Sequence, residues 1–366
     1  MTTPKGLINE LEDAISHKDL ARRAETLGRL TDLFVLGSGK YTGEQIELFD
    51  DVMRRLAEEV EVSARAAFGK RLAMVPDAPP KVMRELALDT AIEVAGPVLM
   101  HSQQIDNETL VESAKTQGQD HLLAISQRKF LAEEVTDVLV DRGNQQVAIS
   151  TVGNPGAAFS EFGYSTLVRR SQNDDRLAAC IWSRMDIPRQ HLLKLFAEAS
   201  ESVRLTLEAT DRRKTQLIRE MVAQASNKIQ AQARADSPEF AKAYAAVERL
   251  WRMRKLDEPQ LAEFAKARKF DETVIALSML CNLPIGPVER AFVQSWSEQL
   301  LVIAKSIDLS WATTKLLLLL PSEYEVADAA ELDQCFANFT RLQLETAKKA
   351  VQFYRLREKA VVPVSY

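Results

Sequence analysis

The chain has 366 residues, 46% hydrophobic and 27% charged, with a formal net charge of -5 and a pI near 5.7. That length can bury an ample core in one elongated or two compact domains. An acidic balance, with Lys and Arg interleaved among Asp and Glu, speaks against a protein that works on nucleic-acid phosphates, and 13 Gly and 13 Pro are too few for an all-β chain rich in tight turns.

Strong helix formers dominate, and apolar residues recur at helical spacing along most of the chain. The opening residues, MTTPKGLINELEDA, contain no apolar export core, so a cytoplasmic protein is expected. Leu7, Leu11 and Ile15 make residues 1–19 an N-terminal helix or extension, and Leu20, Ala24, Leu27, Leu30 and Leu33 continue the period. The stretch VLGSGKYTG, 35–43, brings Gly37, Ser38, Gly39 and Lys40 together. A phosphate-binding P-loop needs G-x-x-x-x-G-K-S/T between a strand and a helix. Phe34 stands where the first glycine belongs and Tyr41 follows the lysine. The glycines therefore read as a helix stop.

From here a repeat emerges. An apolar–small–apolar pattern recurs around Ala64, Ala95, Ala124, Ala148, Ala178 and Arg204, at intervals of 31, 29, 24, 30 and 26 residues. About 30 residues make one helix–turn–helix unit. Asp120, Asn144, Asp174 and Ser200 stand four residues before the last four anchors, as N-caps do. Corners follow at 75–80, 103–109, 153–160 and 184–189. Second helices are expected at 81–88, 109–114, 134–140, 163–170 and 190–196. Such units bury a continuous core only by stacking. The stretch GNPGAAFSEFGYSTLVRR, 153–170, fits a repeat corner. Its Gly-Asn-Pro-Gly turn stops a helix, Phe159 plugs the bend, Ser160 caps the next helix, and Gly163 lets that helix approach its neighbour.

The repeat decays after Arg204. A long helix is expected over 202–233, another over 244–253, three or four short ones between 269 and 321, and a tail helix over 330–359. Its apolar run Leu316–Leu320 is too short to span a bilayer. The fold expected is all-α: a right-handed α-solenoid of HEAT-like two-helix repeats over 20–205, a C-terminal helical bundle over 206–358 that caps it, and a loose tail at 359–366.

The segment VDRGNQQVAISTVGNPGAAFSEFGYSTLVRRSQNDDRLAACIWSRMDIP resembles a bacterial family known as domain of unknown function two-three-three-six. The likeness rests on Asn154, Gly156-Ala157, Phe159-Ser160, Gly163, Leu167-Val168 and Arg184-x-Asp186-x-Pro188. It extends over about 20–358, with MLCNLPIGPVERAF and LSWATTKLLL as a second block. The resemblance implies an all-helical, HEAT-like solenoid and brings no catalytic residues with it. The stretch LAEEVEVSARAAFGKRLAMVPDAPPKVMRELALD also resembles the leucine-rich-repeat-variant type of HEAT-like repeat.

Cys180, Cys281 and Cys335 are distant from one another and set among apolar neighbours, as reduced thiols are. His17, His101, His121 and His191 show no metal-ligand spacing. The carboxylate pairs Glu58-Glu59, Glu133-Glu134 and Asp174-Asp175 read as first-turn charges or solvated faces. Trp182, Trp251, Trp296 and Trp311 sit at core spacing. No metal, cofactor or catalytic residue is assigned. One set bears on binding: Arg84, Lys115, Arg142, Arg169, Arg170 and Lys194 fall late in second helices. There they either line a groove for an acidic peptide or complement helix C-termini. The function expected is a non-enzymatic scaffold that binds a protein or acidic peptide through a concave groove, with the C-terminal helices as the place for a homodimer. The alternatives are a nucleic-acid-binding repeat protein and a small-ligand or base-modifying enzyme on the same scaffold.

Overall fold

The computed structural model describes residues 20–58, 60–172, 174–210, 212–293, 298–320 and 329–361. The extension over 1–19, with His17, and the tail beyond 361 lie outside them. The described residues are all-helical, apart from a single bridge between Leu131 and Ala157. No described helix is long and apolar enough to cross a membrane. The chain divides into two compact units, 1–184 and 185–366.

The first unit holds eleven described helices. They are α1 (Leu20–Gly37), α2 (Gly43–Ala57), α3 (Val62–Leu72), α4 (Pro80–Ala87), α5 (Ile92–His101) and α6 (Asn107–Thr116). Then come α7 (Gln119–Ser126), α8 (Glu133–Arg142), α9 (Gln145–Gly153), α10 (Glu161–Ser171) and α11 (Asp175–Trp182). Odd helices pack on odd ones, α1 on α3 on α5 on α7 on α9 on α11, and even helices on even ones from α2 to α10. Each odd helix therefore shares a layer with the helix two elements later. Local chemistry starts the helices where the sequence places them. Asn144 Oδ1 accepts from Val147 N at 3.0 Å, Asp174 Oδ1 from Leu177 N at 3.0 Å, and Ser160 Oγ from Gly163 N at 3.0 Å. Asp120 instead lies inside α7, whose N-cap is Gly118.

The corner at 153–160 is fastened on three sides. Asn154 Nδ2 donates to Ser126 O at 2.9 Å and Arg128 O at 2.7 Å, while its Oδ1 accepts from Gly156 N at 2.9 Å. Leu131 N donates to Gly156 O at 3.0 Å, and Ala158 N to Leu131 O at 2.9 Å. Any side chain at Gly156 would collide with the Lys129 carbonyl. Phe159 is buried, and the Arg184 guanidinium lies 4.7 Å from its ring centroid.

The loop at 37–40 does hold an anion, but the protein supplies it. Ser38 Oγ and Gly39 N, the latter at 2.7 Å, donate to the Asp77 carboxylate, and Gly39 takes a φ of 79°. Burial works against that charge, yet these hydrogen bonds hold the Asp77 carboxyl below its ordinary range.

The second unit begins with two long helices, α12 (Arg189–Thr210) and α13 (Thr215–Ala235), joined through a 3-10 turn at Arg212–Lys214. The single helix expected over 202–233 is thus two, packed on each other. Ser200 and Arg204, read as a cap and an anchor, lie within α12, so no sixth short unit forms there. Residue 205, where the sequence reading ends the array, also falls inside α12. After them come α14 (Pro238–Arg252), α15 (Glu258–Lys266), α16 (Phe270–Cys281), α17 (Ile285–Val293), α18 (Glu298–Ser306) and α19 (Trp311–Leu319). The tail is α20 (Ala329–Arg341) and α21 (Leu344–Val361), not one helix, because both pack on α18. A bend at 342–343 lets Phe339 and Val351 bury in the same core, which gathers around Val274, Ile275, Phe292 and Leu301.

Candidate functional site

A concavity of the first unit lies along the odd layer, over α3, α5 and α7. Ile92, Gly96 and Met100 recur every fourth residue, which puts them on one face of α5. Met74 from the turn after α3 and Leu123 and Ala124 from α7 complete an apolar groove of about 570 Å³. Its rim is polar: Lys70 and His101 on α3 and α5, Asp120 and Gln127 at α7. Met74 is 71% exposed, so the groove is open to solvent. Pro97 within α5 removes the N–H that would serve the Glu93 carbonyl, and Gly96 beside it adds no side chain. Small or ring-closed residues thus form the floor, and thioethers, which repack easily, form the walls.

Five of the six cations singled out in the sequence lie on α4, α6, α8 and α10 of the even layer, and three of those five are engaged within the unit. Two are occupied with carbonyls. Arg142 Nη1 donates to Ala114 O at the end of α6, and Arg170 donates to Val140 O and, at 2.8 Å, Gly143 O at the end of α8. Burial lowers the Arg170 pKa, with the nearby Asp141 opposing. Arg84 reaches from α4 to Thr109 and Glu112 of α6. Lys115 and Arg169 are exposed and make no ion pair among the described residues. Lys194 belongs to α12, in the other unit.

Arg142 and Arg170 are two rungs of a longer ladder. Helix ends leave carbonyls without partners, and in this unit the next helix of the same layer supplies the donors. In the even layer Gln117 donates to Leu88 O at 3.2 Å, before the two arginines take over. In the odd layer Gln104 donates to Pro76 O, and Arg128 to Leu99 O and, at 2.7 Å, Ser102 O. Asn154 serves Ser126 and Arg128. Arg184 serves Val152, Asn154 and Ala157 at 2.8–3.0 Å. Every rung spans 26 to 32 residues.

Other candidates fall elsewhere. His121 is buried with Nε2 3.0 Å from Asp89 O, His191 is buried in α12, and His101 sits on the groove rim. Among the described residues no group of three His, Cys, Asp or Glu could hold a metal ion. Cys281 is buried, which pushes its thiol up to about 12, and burial also raises Cys335, so both are poor nucleophiles. Trp182 and Trp251 are half exposed, against the core role expected of them; Trp311 packs on Phe336 and Phe339, and Trp296 lies outside the described residues.

One ionic cluster escaped the sequence altogether. Arg189 of α12 donates to Asp271 of α16 and Glu289 of α17, and Arg234 of α13 reaches Glu289 at 2.5 Å. The Arg189 guanidinium also lies 4.5 Å from the Phe240 ring centroid. Burial drives the Asp271 and Glu289 carboxyls above their ordinary range, against the pull of the arginines. These partners are 55 to 100 residues apart, so no spacing rule finds them. The groove was also missed. Its one sequence signal was Gly96-Pro97 inside a helical period, a pair that helix interiors avoid.

A family model described as an uncharacterised protein conserved in bacteria (DUF2336) matches residues 94–352, and the chain belongs to that family. No curated protein and no solved structure matches it.

Proposed function

We propose that this DUF2336 protein is a non-enzymatic adaptor that holds a partner protein on the α3–α5–α7 groove. In this reading the first unit is a right-handed solenoid of HEAT-like repeats, and the second is a helical bundle. The same-layer packing and the one-repeat carbonyl ladder support a solenoid, because each helix is tied to its counterpart one repeat away. The observation that carries the function is the groove itself, an open apolar surface with a charged rim.

An amphipathic segment of the partner lays apolar side chains over Met74, Ile92, Met100 and Leu123. Each side chain so buried contributes about 1.5–3 kcal/mol before ordering costs. Lys70 and His101 on one rim and Asp120 on the other fix the direction of the segment. Lys115 and Arg169 remain on the even layer for an acidic stretch of the same partner. The protein works in the cytoplasm, where Cys281 and Cys335 stay reduced.

Photo-crosslinking tests this reading. A benzoylphenylalanine at Met74 or Gln127 is expected to capture a protein partner in living cells. Gly96→Trp, which fills the groove, should abolish capture, whereas the double change Lys115→Glu, Arg169→Glu should only weaken it. Adducts that survive Gly96→Trp but vanish with the double change would move the partner to the even layer and refute the groove.

A further inference from the structure

We infer that the α12–α13 hairpin is a dimerisation arm, and that its apolar seam packs on the same seam of a second copy of this chain. The inference concerns a different unit from the groove and does not rest on the adaptor reading.

The starting observation is a missing core. Between residues 196 and 229 no described side chain is fully buried. Yet Val203 is 52% exposed and Met221 61% exposed, and Leu207, Leu217 and Ile229 are exposed as well. In proteins most helical stability comes from packing of an apolar face rather than from propensity. The hairpin's two helices touch each other, but that contact leaves much of the apolar surface uncovered.

The spacing of that surface is the spacing of a coiled coil. Phe196, Ser200, Val203 and Leu207 on α12 follow steps of four, three and four residues. Ile218, Val222, Ala225 and Ile229 on α13 follow the same steps. Alternation of three and four keeps one narrow seam facing a partner helix. The antiparallel register brings the two seams level: Ser226 Oγ donates to Ser200 Oγ at 3.0 Å, and Arg219 Nε to Glu208 Oε1 at 2.8 Å. Two such hairpins complete a four-helix bundle.

Charge and size point to a second copy rather than another partner. The hairpin's central charges close on themselves: Arg204 binds Glu201 and Glu208, and Arg219 binds Glu208. What the seam leaves exposed, Val203, Leu207 and Ile229, is apolar, and an apolar seam is its own complement across a two-fold axis. Helices of 22 and 21 residues are roughly 30 Å long and, side by side, about 20 Å wide. That footprint, on the order of 600 Å², approaches the ~800 Å² per partner of a stable interface.

Sedimentation of the full-length chain at micromolar concentration is expected to give twice the 41.0 kDa chain mass. The triple variant V203E/L207E/I229E should sediment as a monomer with helix content unchanged by circular dichroism. Amide protection over 199–229 should rise with protein concentration in the wild type and not in the variant. A monomeric wild type, or a variant that stays dimeric, overturns the inference. So does a monomer whose hairpin becomes protected only with anionic lipid vesicles, which would assign the seam to a membrane surface.

Discussion

The two units finish their helices in different ways. In the first, a helix end is served by a side chain from near the end of the next helix in its layer: Gln104, Gln117, Arg128, Arg142, Asn154, Arg170 and Arg184 each donate to carbonyls 27 to 30 residues back. In the second, four helices finish themselves. Arg254, Arg268, Asn282 and Asp308 turn left-handed, with φ between 49° and 57°. The following N–H then bonds five residues back, from Lys255 to Leu250, Lys269 to Phe264, Leu283 to Ser278 and Leu309 to Ala304. The first device makes each helix depend on the next helix of its layer. The second closes each of these helix ends locally, although Arg355 also donates to Cys281 O and Arg268 to Leu320 O at 3.2 Å, and cohesion rests mainly on the shared core and on long-range ties such as Arg189.

The largest effect is expected at that tie. Arg189→Met leaves Asp271 without its cation and Glu289, whose side chain is 1% exposed, with one guanidinium instead of two. Breaking a buried pair on one side costs about 3–5 kcal/mol. Because α12, α13, α16 and α17 meet there, amide protection should fall throughout the second unit at once. Protection lost in α12 alone would mean that this unit, too, is held only by local ties.

Arg184→Ala probes the opposite case. It strips donors from three carbonyls and uncovers the Phe159 ring, at a cost of about 2 kcal/mol. The loss should be local. Hydrogen exchange should quicken in α9, α10 and α11 and stay unchanged in α1 to α5, as in a stack whose members touch only neighbours. Uniform loss across the first unit would contradict the ladder as a chain of separate ties.

What the sequence made legible follows the same division. Caps such as Asn144, Ser160 and Asp174 act within three residues, so pattern alone finds them. Packing in layers follows from the 24-to-31-residue period of the anchors. The ladder has that period too, but its donors are Gln, Asn and Arg in turn, and nothing in one chain marks them as equivalent. Arg142 and Arg170 could accordingly be taken for groove cations, since a cation near a helix end looks the same whether it meets solvent or a neighbour's carbonyl. The division into α12 and α13 is silent because Arg-Arg-Lys is compatible with a helix, and tertiary packing decides the turn. The groove was hidden because periodicity shows which face is apolar, not which part of it goes uncovered.

The smallest effect has the opposite sign. A left-handed backbone costs an ordinary residue about 1–2 kcal/mol relative to the right-handed one, while glycine adopts it freely. Arg254 carries that strain at an exposed position, where its side chain makes no ion pair among the described residues. Arg254→Gly should therefore stabilise the second unit, by up to about 1 kcal/mol once glycine's greater freedom in the unfolded chain is subtracted. Asp308→Gly should do the same for α18. Glycine in place of a ladder residue has no such strain to relieve, so Gln117→Gly in the first unit should only destabilise. Denaturant midpoints of the three variants decide the matter. If Arg254→Gly lowers the midpoint as Gln117→Gly does, the left-handed turns are not self-sufficient, and the two units end their helices by the same dependence on neighbouring side chains.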